Sequence, residues 1–169
     1  MTYVVRNFLS NNELKEIKSE LLTNISNKNI TIGDSLFDNC VVTSALTSFD
    51  NILLQKTSDI CKIYGDVLYP CFSYTRVINK GSILNKHKDK HFANIVCSIC
   101  IECEVPWGLW ITDSEILLNQ GDMVLFDARE SYHWRNQLDS NYCIQSMLYY
   151  TEDKIKQELF KQGKIGLIQ

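Results

Sequence analysis

Residues 107–135 of the chain read WGLWITDSEILLNQGDMVLFDARESYHWR. Short segments rich in β-branched and aromatic residues follow one another here, at 107–111, 115–118, 122–127 and 131–136. The turn-forming stretches Thr112-Asp113-Ser114 and Asn119-Gln120-Gly121-Asp122 separate them. Strands this short and this closely spaced are typical of a β-sandwich or barrel, and not of parallel βαβ units.

The same pattern continues on both sides of this stretch. Further strands are predicted at 67–78, 94–103 and 142–150. Tyr3-Val4-Val5 forms a short extended piece near the N-terminus, whereas residues 26–34 are rich in Asn, Ser and Gly and are predicted to form a loop. The fold class we expect is mainly β with flanking helices.

Helices are predicted outside the β region. One helix is predicted to begin after Ser10, a second to run from Asp50 to Tyr64, and a third to run from Thr151 to about Lys161. Ser10 and Glu13 have the spacing of a capping box, and Gly65 is suited to end the second helix. We therefore expect a single domain, residues 1–169, with helical support in 1–66, a β core in 67–150 and a C-terminal helix and tail in 151–169.

Composition and charge exclude several classes of protein. Seventeen basic and twenty acidic residues give a net charge of −3, which makes nucleic acid an unlikely partner. No apolar run approaches the roughly 18 residues of a membrane span, and no secretory signal is recognisable. We expect a soluble, cytoplasmic protein without a membrane partner. Abundant Asn, Ile and Lys indicate an AT-rich genome, such as that of a phage or a bacterium.

The chain contains three histidines, His87, His91 and His133. His87 and Asp89 are two residues apart, so they share one side of an extended segment, and His133 lies on a predicted strand. Two imidazoles and one carboxylate can occupy one face of an octahedral metal ion, as in non-haem Fe(II) oxygenases. The alternative interpretations are a solvated lysine-rich loop for HKDKH and an ordinary strand histidine for His133.

The residues around these ligands extend the pattern. The first part of the pattern is R-x-x-x-x-G-x-x-L-x-x-H-x-D, formed by Arg76, Gly81, Leu84, His87 and Asp89. The second part is G-D-x-x-x-F followed by H, formed by Gly121-Asp122, Phe126 and His133. In this the chain resembles the Fe(II)/2-oxoglutarate-dependent dioxygenase superfamily, and most of all its small prolyl-4-hydroxylase-like branch. The resemblance extends from Arg76 to Tyr150, close to half of the chain.

The resemblance implies a double-stranded β-helix (a jelly roll, cupin-like) with N-terminal helices packed on the major sheet. It implies that His87, Asp89 and His133 hold Fe(II), and that 2-oxoglutarate and O₂ are the co-substrates, with ascorbate as a reductant. The implied reaction hydroxylates an organic substrate and releases succinate and CO₂. A peptidyl proline or another protein side chain is the favoured substrate, and a small molecule is the alternative.

The chain departs from the family at the residue that binds the distal carboxylate of 2-oxoglutarate. Family members usually have Arg or Lys about ten residues beyond the second histidine, but Tyr142 to Met147 contain no basic residue. Arg135 is the best substitute, because it lies two residues after His133 on the same side of a strand. Arg76 is the second candidate, and Gln145 and Tyr74 are candidate neutral hydrogen-bond partners.

Two further residues are candidate substrate contacts, namely Trp110, on a predicted pocket strand, and His91, near the rim. Cys97, Cys100 and Cys103 form a C-x-x-C-x-x-C pattern. On a strand this spacing sends alternate cysteines to opposite faces, so we expect buried thiols and not a zinc or iron–sulfur site.

Two other functions compete with the oxygenase. One is a non-enzymatic or differently metallated cupin-like protein that binds a small molecule or a metal. The other, weaker one is a zinc or redox module built on the cysteines.

Overall fold

Two antiparallel sheets enclose an apolar interior in the computed structural model, which describes residues 1–44 and 46–166. The larger sheet has seven strands in the order β1-β9-β6-β11-β4-β3-β2, and the smaller has four in the order β5-β10-β7-β8. The elements in chain order are β1 (Thr2–Val5), α1 (Asn11–Ser26), β2 (Thr31–Ile32), β3 (Cys40–Thr43), α2 (Thr47–Gln55), α3 (Thr57–Tyr64), β4 (Tyr69–Asn79), β5 (Leu84–His87), β6 (Ile95–Cys103), β7 (Leu109–Ile111), β8 (Ser114–Ile116), β9 (Met123–Asp127), β10 (His133–Arg135), β11 (Tyr142–Thr151) and α4 (Lys154–Lys161).

The N-terminal helices pack on the outer face of the larger sheet, as predicted. Ile17 of α1, Phe49 of α2 and Ile60 of α3 are fully buried in one cluster with Ile99 of β6 and Leu148 of β11. Because successive strand residues point to opposite faces, the other residues of β6 and β11 face the second sheet. The larger sheet therefore separates a helix-covered core from the interior between the two sheets.

The start of α1 was correctly predicted. Ser10 accepts a hydrogen bond from the Glu13 amide, and the Glu13 carboxylate accepts one from the Ser10 amide, which completes the capping box. The second helix differs from the prediction. It begins at Thr47 and breaks at Lys56 into α2 and α3, although Gly65, with φ +93°, does end it.

The early start of α2 has a long-range cause. The Glu20 carboxylate of α1 accepts hydrogen bonds from the amides of Thr47 (2.7 Å) and Ser48 (2.9 Å). These are the unpaired donors of the first helical turn, and an anion there also suits the helix dipole. Local sequence carries no sign of a cap supplied by another helix.

The first 66 residues contribute strands as well as helical support. β1 pairs with β9 at one edge of the larger sheet, while β3 joins β4 and β2 forms the other edge. β2 lies within the stretch predicted as a loop. At the other end of the chain, Thr151 completes β11 and Asp153 caps α4, so this helix begins three residues later than predicted.

A β-bulge between β6 and β11 changes which cysteines share a face. Ile144 pairs with Glu102 but Gln145 pairs with Cys100, so Ile101 is an additional residue. Cys100 and Cys103 consequently both face the interior between the sheets, whereas Cys97 faces the helices. The prediction that the three-residue spacing separates all neighbouring cysteines is therefore wrong for Cys100 and Cys103. All seven cysteines are free thiols.

In the part of the chain that the structure describes, no helix is both long and apolar enough to cross a membrane.

Candidate metal centre

Two histidines and one aspartate converge between the sheets. His87 ends β5, His133 begins β10, and the two residues are direct partners in the smaller sheet. Asp89 follows β5, where its amide donates to the carbonyl of Ala128 at 2.9 Å. Oδ1 of Asp89 lies 3.5 Å from Nε2 of His87 and 3.6 Å from Nε2 of His133. Of the described residues, these three form the group with ligand atoms close enough to share a metal ion.

Backbone carbonyls orient both imidazoles. Nδ1 of His87 lies 2.7 Å from the carbonyl oxygen of Asn85, and Nδ1 of His133 lies 3.1 Å from that of Ser131. A carbonyl oxygen can only accept, so each Nδ1 carries a hydrogen and each Nε2 faces the centre. Nε2 of His87 is buried without a hydrogen-bond partner among the described residues. This is the arrangement that a metal ion requires of two histidines.

The electrostatics of the three groups also suit a cation. Burial raises the pKa of Asp89, but the close contacts with His87 and His91 outweigh it and hold this pKa well below its usual range. Burial is the main influence on His133 and lowers its pKa, so the imidazole is neutral at pH 7. The nearby Asp89 carboxylate raises the pKa of His87. An ionised carboxylate beside a buried neutral imidazole offers lone pairs to a metal.

Two adjoining cavities meet at this group. A small cavity of about 50 Å³ is lined by His87, Asp89 and His133 together with Arg135 and Gln145. A larger open pocket of about 970 Å³ shares His87 and Asp89 with it. The centre therefore has an inner chamber and an outer one.

Arg135 is an unpaired buried cation in the inner chamber. Its side chain packs on the ring of Trp107 at 4.9 Å, and Nη1 donates to the carbonyl of Trp107. Nη2 is buried without a hydrogen-bond partner, and no carboxylate of the described residues pairs with this guanidinium. Burial lowers the pKa of Arg135 to about 10, so it remains charged at pH 7. A buried cation without a carboxylate partner and with a free N–H donor is suited to an anionic ligand.

Arg76 lines the same chamber in a different electrostatic state. Its Nε lies 2.5 Å from Oδ2 of Asp34, and its guanidinium packs against the rings of Phe37 (5.3 Å) and Tyr74 (4.7 Å). Gln145 is the direct strand partner of Arg76 and is 6% exposed. Since Asp34 already neutralises Arg76, this cation needs a second anion less than Arg135 does.

The two predicted substrate contacts lie in different places. His91 lines the open pocket beside Asp89. Trp110 stacks on Trp134, its partner across the sheet, with ring centroids 5.5 Å apart. Since His133 and Arg135 face the interior, Trp134 between them faces outward, and so does Trp110. The structure does not bring Trp110 to either cavity.

An aromatic wall of the open pocket was missed by the sequence analysis. Phe72, Tyr74 and Tyr149 stack on one another, with the rings of Phe72 and Tyr149 4.4 Å apart. The signal was present, because Phe72 and Tyr74 lie at alternate positions before Arg76, and Tyr149 lies four residues after Gln145. These positions must share the interior face of β4 and β11.

No protein-family model and no curated protein sequence matches the chain. Solved structures do match it. The viral collagen prolyl hydroxylase vCPH of Paramecium bursaria Chlorella virus-1, in complex with 2-oxoglutarate, is 13% identical and superposes with a TM-score of 0.67 over 88% of this chain and 94% of that one.

Two other solved structures are similar to the chain. HygX of Streptomyces hygroscopicus, with nickel and 2-oxoglutarate bound, is 12% identical, with a TM-score of 0.66 over 89% of this chain and 82% of that one. SnoN, a non-haem α-ketoglutarate-dependent epimerase of nogalamycin biosynthesis, is 12% identical. Its TM-score is 0.72 over 89% of this chain and 77% of the SnoN chain.

The chain has the fold of the 2-oxoglutarate-dependent oxygenases, the double-stranded β-helix. The fold class predicted from the sequence is confirmed, and so is the resemblance to this superfamily at the level of the fold.

Proposed function

We propose that this chain is an Fe(II)- and 2-oxoglutarate-dependent oxygenase that hydroxylates an organic substrate and releases succinate and CO₂. One observation carries the proposal: the His87, Asp89 and His133 group shares a small cavity with Arg135, a buried guanidinium that no carboxylate of the described residues pairs with. A metal-binding face and an anion-binding group in one cavity suit a 2-oxo acid that carries a second carboxylate.

The three ligands fit iron in number and kind. Two neutral imidazoles and one carboxylate on one face leave three octahedral positions open, which is the donor set of non-haem Fe(II) oxygenases. When bound there, Fe(II) supplies the activation of O₂, coupled to the oxidation of 2-oxoglutarate to succinate and CO₂. The carbonyls of Asn85 and Ser131 hold the imidazoles in the tautomer that binds metal.

Arg135 is the residue that we assign to the distal carboxylate of 2-oxoglutarate. It lies two residues after His133 on β10, and alternate residues of a strand are about 6.6 Å apart, a separation suited to a five-carbon dicarboxylate. A guanidinium binds a carboxylate through two parallel hydrogen bonds, and Nη2 is free for this. Gln145 and Tyr74 line the same chamber and are candidate neutral donors, with Arg76 as the second candidate cation.

The open pocket is where we place the substrate. Its stacked wall of Phe72, Tyr74 and Tyr149 is apolar and lies next to His87 and Asp89. A peptide side chain such as proline fits this setting, and so does a small molecule. The similar structures point to both, since vCPH is a collagen prolyl hydroxylase and HygX has been solved with hygromycin B. Ascorbate as a reductant stays a prediction.

Anaerobic titration of the apoprotein with Fe(II) and 2-oxoglutarate tests the proposal. We expect a weak visible charge-transfer band that requires both additions and that disappears in His133→Ala. Each alanine variant of the three ligands should lose iron binding and keep the far-ultraviolet circular dichroism spectrum of the folded protein. These variants are His133→Ala, His87→Ala and Asp89→Ala. Tight metal binding without a band would contradict the proposal and favour a cupin-like binding protein.

A further inference from the structure

Three cysteines gather on the interior face of β6 and β11. Cys143 of β11 is the direct strand partner of Cys103, and the β-bulge at Ile101 brings Cys100 onto the same face. Cys100 and Cys143 are 4% and 1% exposed, whereas Cys103 is half-buried. None of the three lines the inner chamber or the open pocket, so the proposed function does not use these thiols.

The pairing of Cys103 with Cys143 suits a disulfide bond. Directly after β4, the Lys80 amide donates to the carbonyl of Asn141 at 3.0 Å, so the backbone of Asn141 faces β4. Because backbone groups alternate in direction along an antiparallel strand, the backbone of Cys143 also faces β4. Cys103 and Cys143 are therefore a pair without mutual backbone hydrogen bonds, with Cα atoms about 4.5 Å apart. This separation lies within the range of about 4.4–6.8 Å that disulfides span.

Cys103 is the member of this group that an oxidant in the solvent reaches first. It is the last residue of β6, and its side chain is half-buried where the strand leaves the sheet. Cys143 lies behind it in the apolar interior. An accessible cysteine with a second thiol beside it is typical of an oxidation-sensitive residue and its resolving partner.

We propose that Cys103 and Cys143 form an oxidation site, at which a hydroperoxide such as H₂O₂ converts the two thiols to a reversible disulfide. The thiolate of Cys103 attacks the peroxide, so an S–O bond forms, the O–O bond breaks, and a sulfenic acid and hydroxide result. The thiol of Cys143 then attacks this sulfur, the S–S bond forms, and the S–O bond breaks with release of water. The two sulfurs together lose two electrons, and the peroxide is reduced to two molecules of water.

This site goes beyond the proposed function, because it requires neither a metal ion nor 2-oxoglutarate. Hydrogen peroxide is the probe, added to the full chain together with a chelator that prevents metal-catalysed oxidation. We expect intact mass spectrometry to show the loss of two hydrogens, and dithiothreitol to reverse it. Digestion without reductant should give a cross-linked peptide that contains Cys103 and Cys143. Cleavage after Glu102 separates Cys103 from Cys100 and so identifies the bonded pair.

Variants assign the two roles. Cys103→Ser should form no disulfide with Cys143. In Cys143→Ala the sulfenic acid of Cys103 has no resolving thiol, so we expect added oxygen atoms in place of the loss of two hydrogens. Cys61→Ala is the matched control, because Cys61 is a half-buried cysteine of α3, and we expect the disulfide to form there at the wild-type rate.

Circular dichroism establishes that each variant is folded. If the buried substitution Cys143→Ala misfolds, Cys103→Ser at its half-buried position and the peptide map of the wild-type protein still test the site. A Cys103–Cys143 disulfide that Cys61→Ala retains and Cys103→Ser loses supports the proposal.

Three results would overturn it. One is a wild-type protein whose thiols survive peroxide that oxidises free cysteine in the same solution. Another is oxidation of Cys103 to the sulfinic acid without a disulfide, and the third is a disulfide that joins Cys143 to Cys100. None of them bears on the metal centre, and a failed Fe(II) titration would leave this oxidation site unaffected.

Discussion

His133 and Arg135 occupy alternate positions of β10 and direct an imidazole and a guanidinium into one small cavity. The strand period of two residues is sufficient to explain this, because residues i and i+2 share a face. Arg135 thus places a cation on the same strand as a proposed metal ligand. Gln145 on β11 then faces the chamber as a neutral group.

Replacing Arg135 should separate co-substrate binding from metal binding. In Arg135→Met we expect 2-oxoglutarate affinity to fall on the order of 100-fold, because the distal carboxylate would be buried without a counter-charge. Co(II) affinity should stay near the wild-type value. Calorimetry on the Co(II)-loaded protein measures both. Arg76→Met is the comparison, and a larger loss there than in Arg135→Met would assign the anchor to Arg76.

The hydroxyl oxygens of Tyr74 and Tyr149 lie 3.0 Å apart, which predicts a strong coupling between these residues. Changing either one to Phe leaves the other hydroxyl in an apolar setting, which costs about 1–3 kcal/mol of unfolding free energy. The double variant should lose less than the sum of the single ones, because no hydroxyl remains to be satisfied. Urea denaturation of all four proteins gives the coupling energy, and additive losses would rule the coupling out.

Asp122 should contribute a pH-dependent part of the stability. Burial raises its pKa, but hydrogen bonds from Arg6 and from the amides of Asn7 and Asn119 outweigh this and lower it. A depressed pKa in the folded state stabilises the protein above the unfolded value of about 3.9, and this contribution is lost as the pH falls toward the folded pKa.

Asp122→Asn should therefore unfold more easily at pH 7, by about 1–3 kcal/mol, and the difference from wild type should shrink below about pH 4. Urea denaturation across this pH range measures it. Asp139→Asn, at an exposed position, is the matched control. A difference for Asp122→Asn that is constant down to pH 3 would show that the ionised form does not contribute.

Gly121 should tolerate a methyl group less well than Gly81. Both have positive φ, +84° and +86°, so alanine strains the backbone at either position by about 1–2 kcal/mol. An added Cβ at Gly121 would lie 3.0 Å from the carbonyl oxygen of Leu9, whereas one at Gly81 meets no atom of the described residues within 4 Å. We expect the larger loss of unfolding free energy for Gly121→Ala, and equal losses in thermal denaturation would contradict the close approach.

The sequence predicted those parts of the site that depend on local periodicity. The spacing of His87 and Asp89, and of His133 and Arg135, follows from the alternation of a strand, and the structure places all four around one cavity. Features set by distant residues were not predictable in this way. Glu20 fixes the start of α2 from another helix, and the bulge at Ile101 depends on the pairing of β6 with β11. Trp110 could not be assigned to a face until its partner strand was known.

The position of β1 has a consequence for how the chain assembles. Thr2 pairs with Phe126 and Val5 with Met123, so β1 forms its ladder hydrogen bonds only with β9, a strand far away in the sequence. Contacts this remote in sequence slow folding, because the intervening loop must be closed first. Until β1 arrives, the edge of β9 offers unpaired amides and carbonyls to other chains. When β1 pairs, it covers this edge of β9 and becomes the outer strand of the larger sheet in its place.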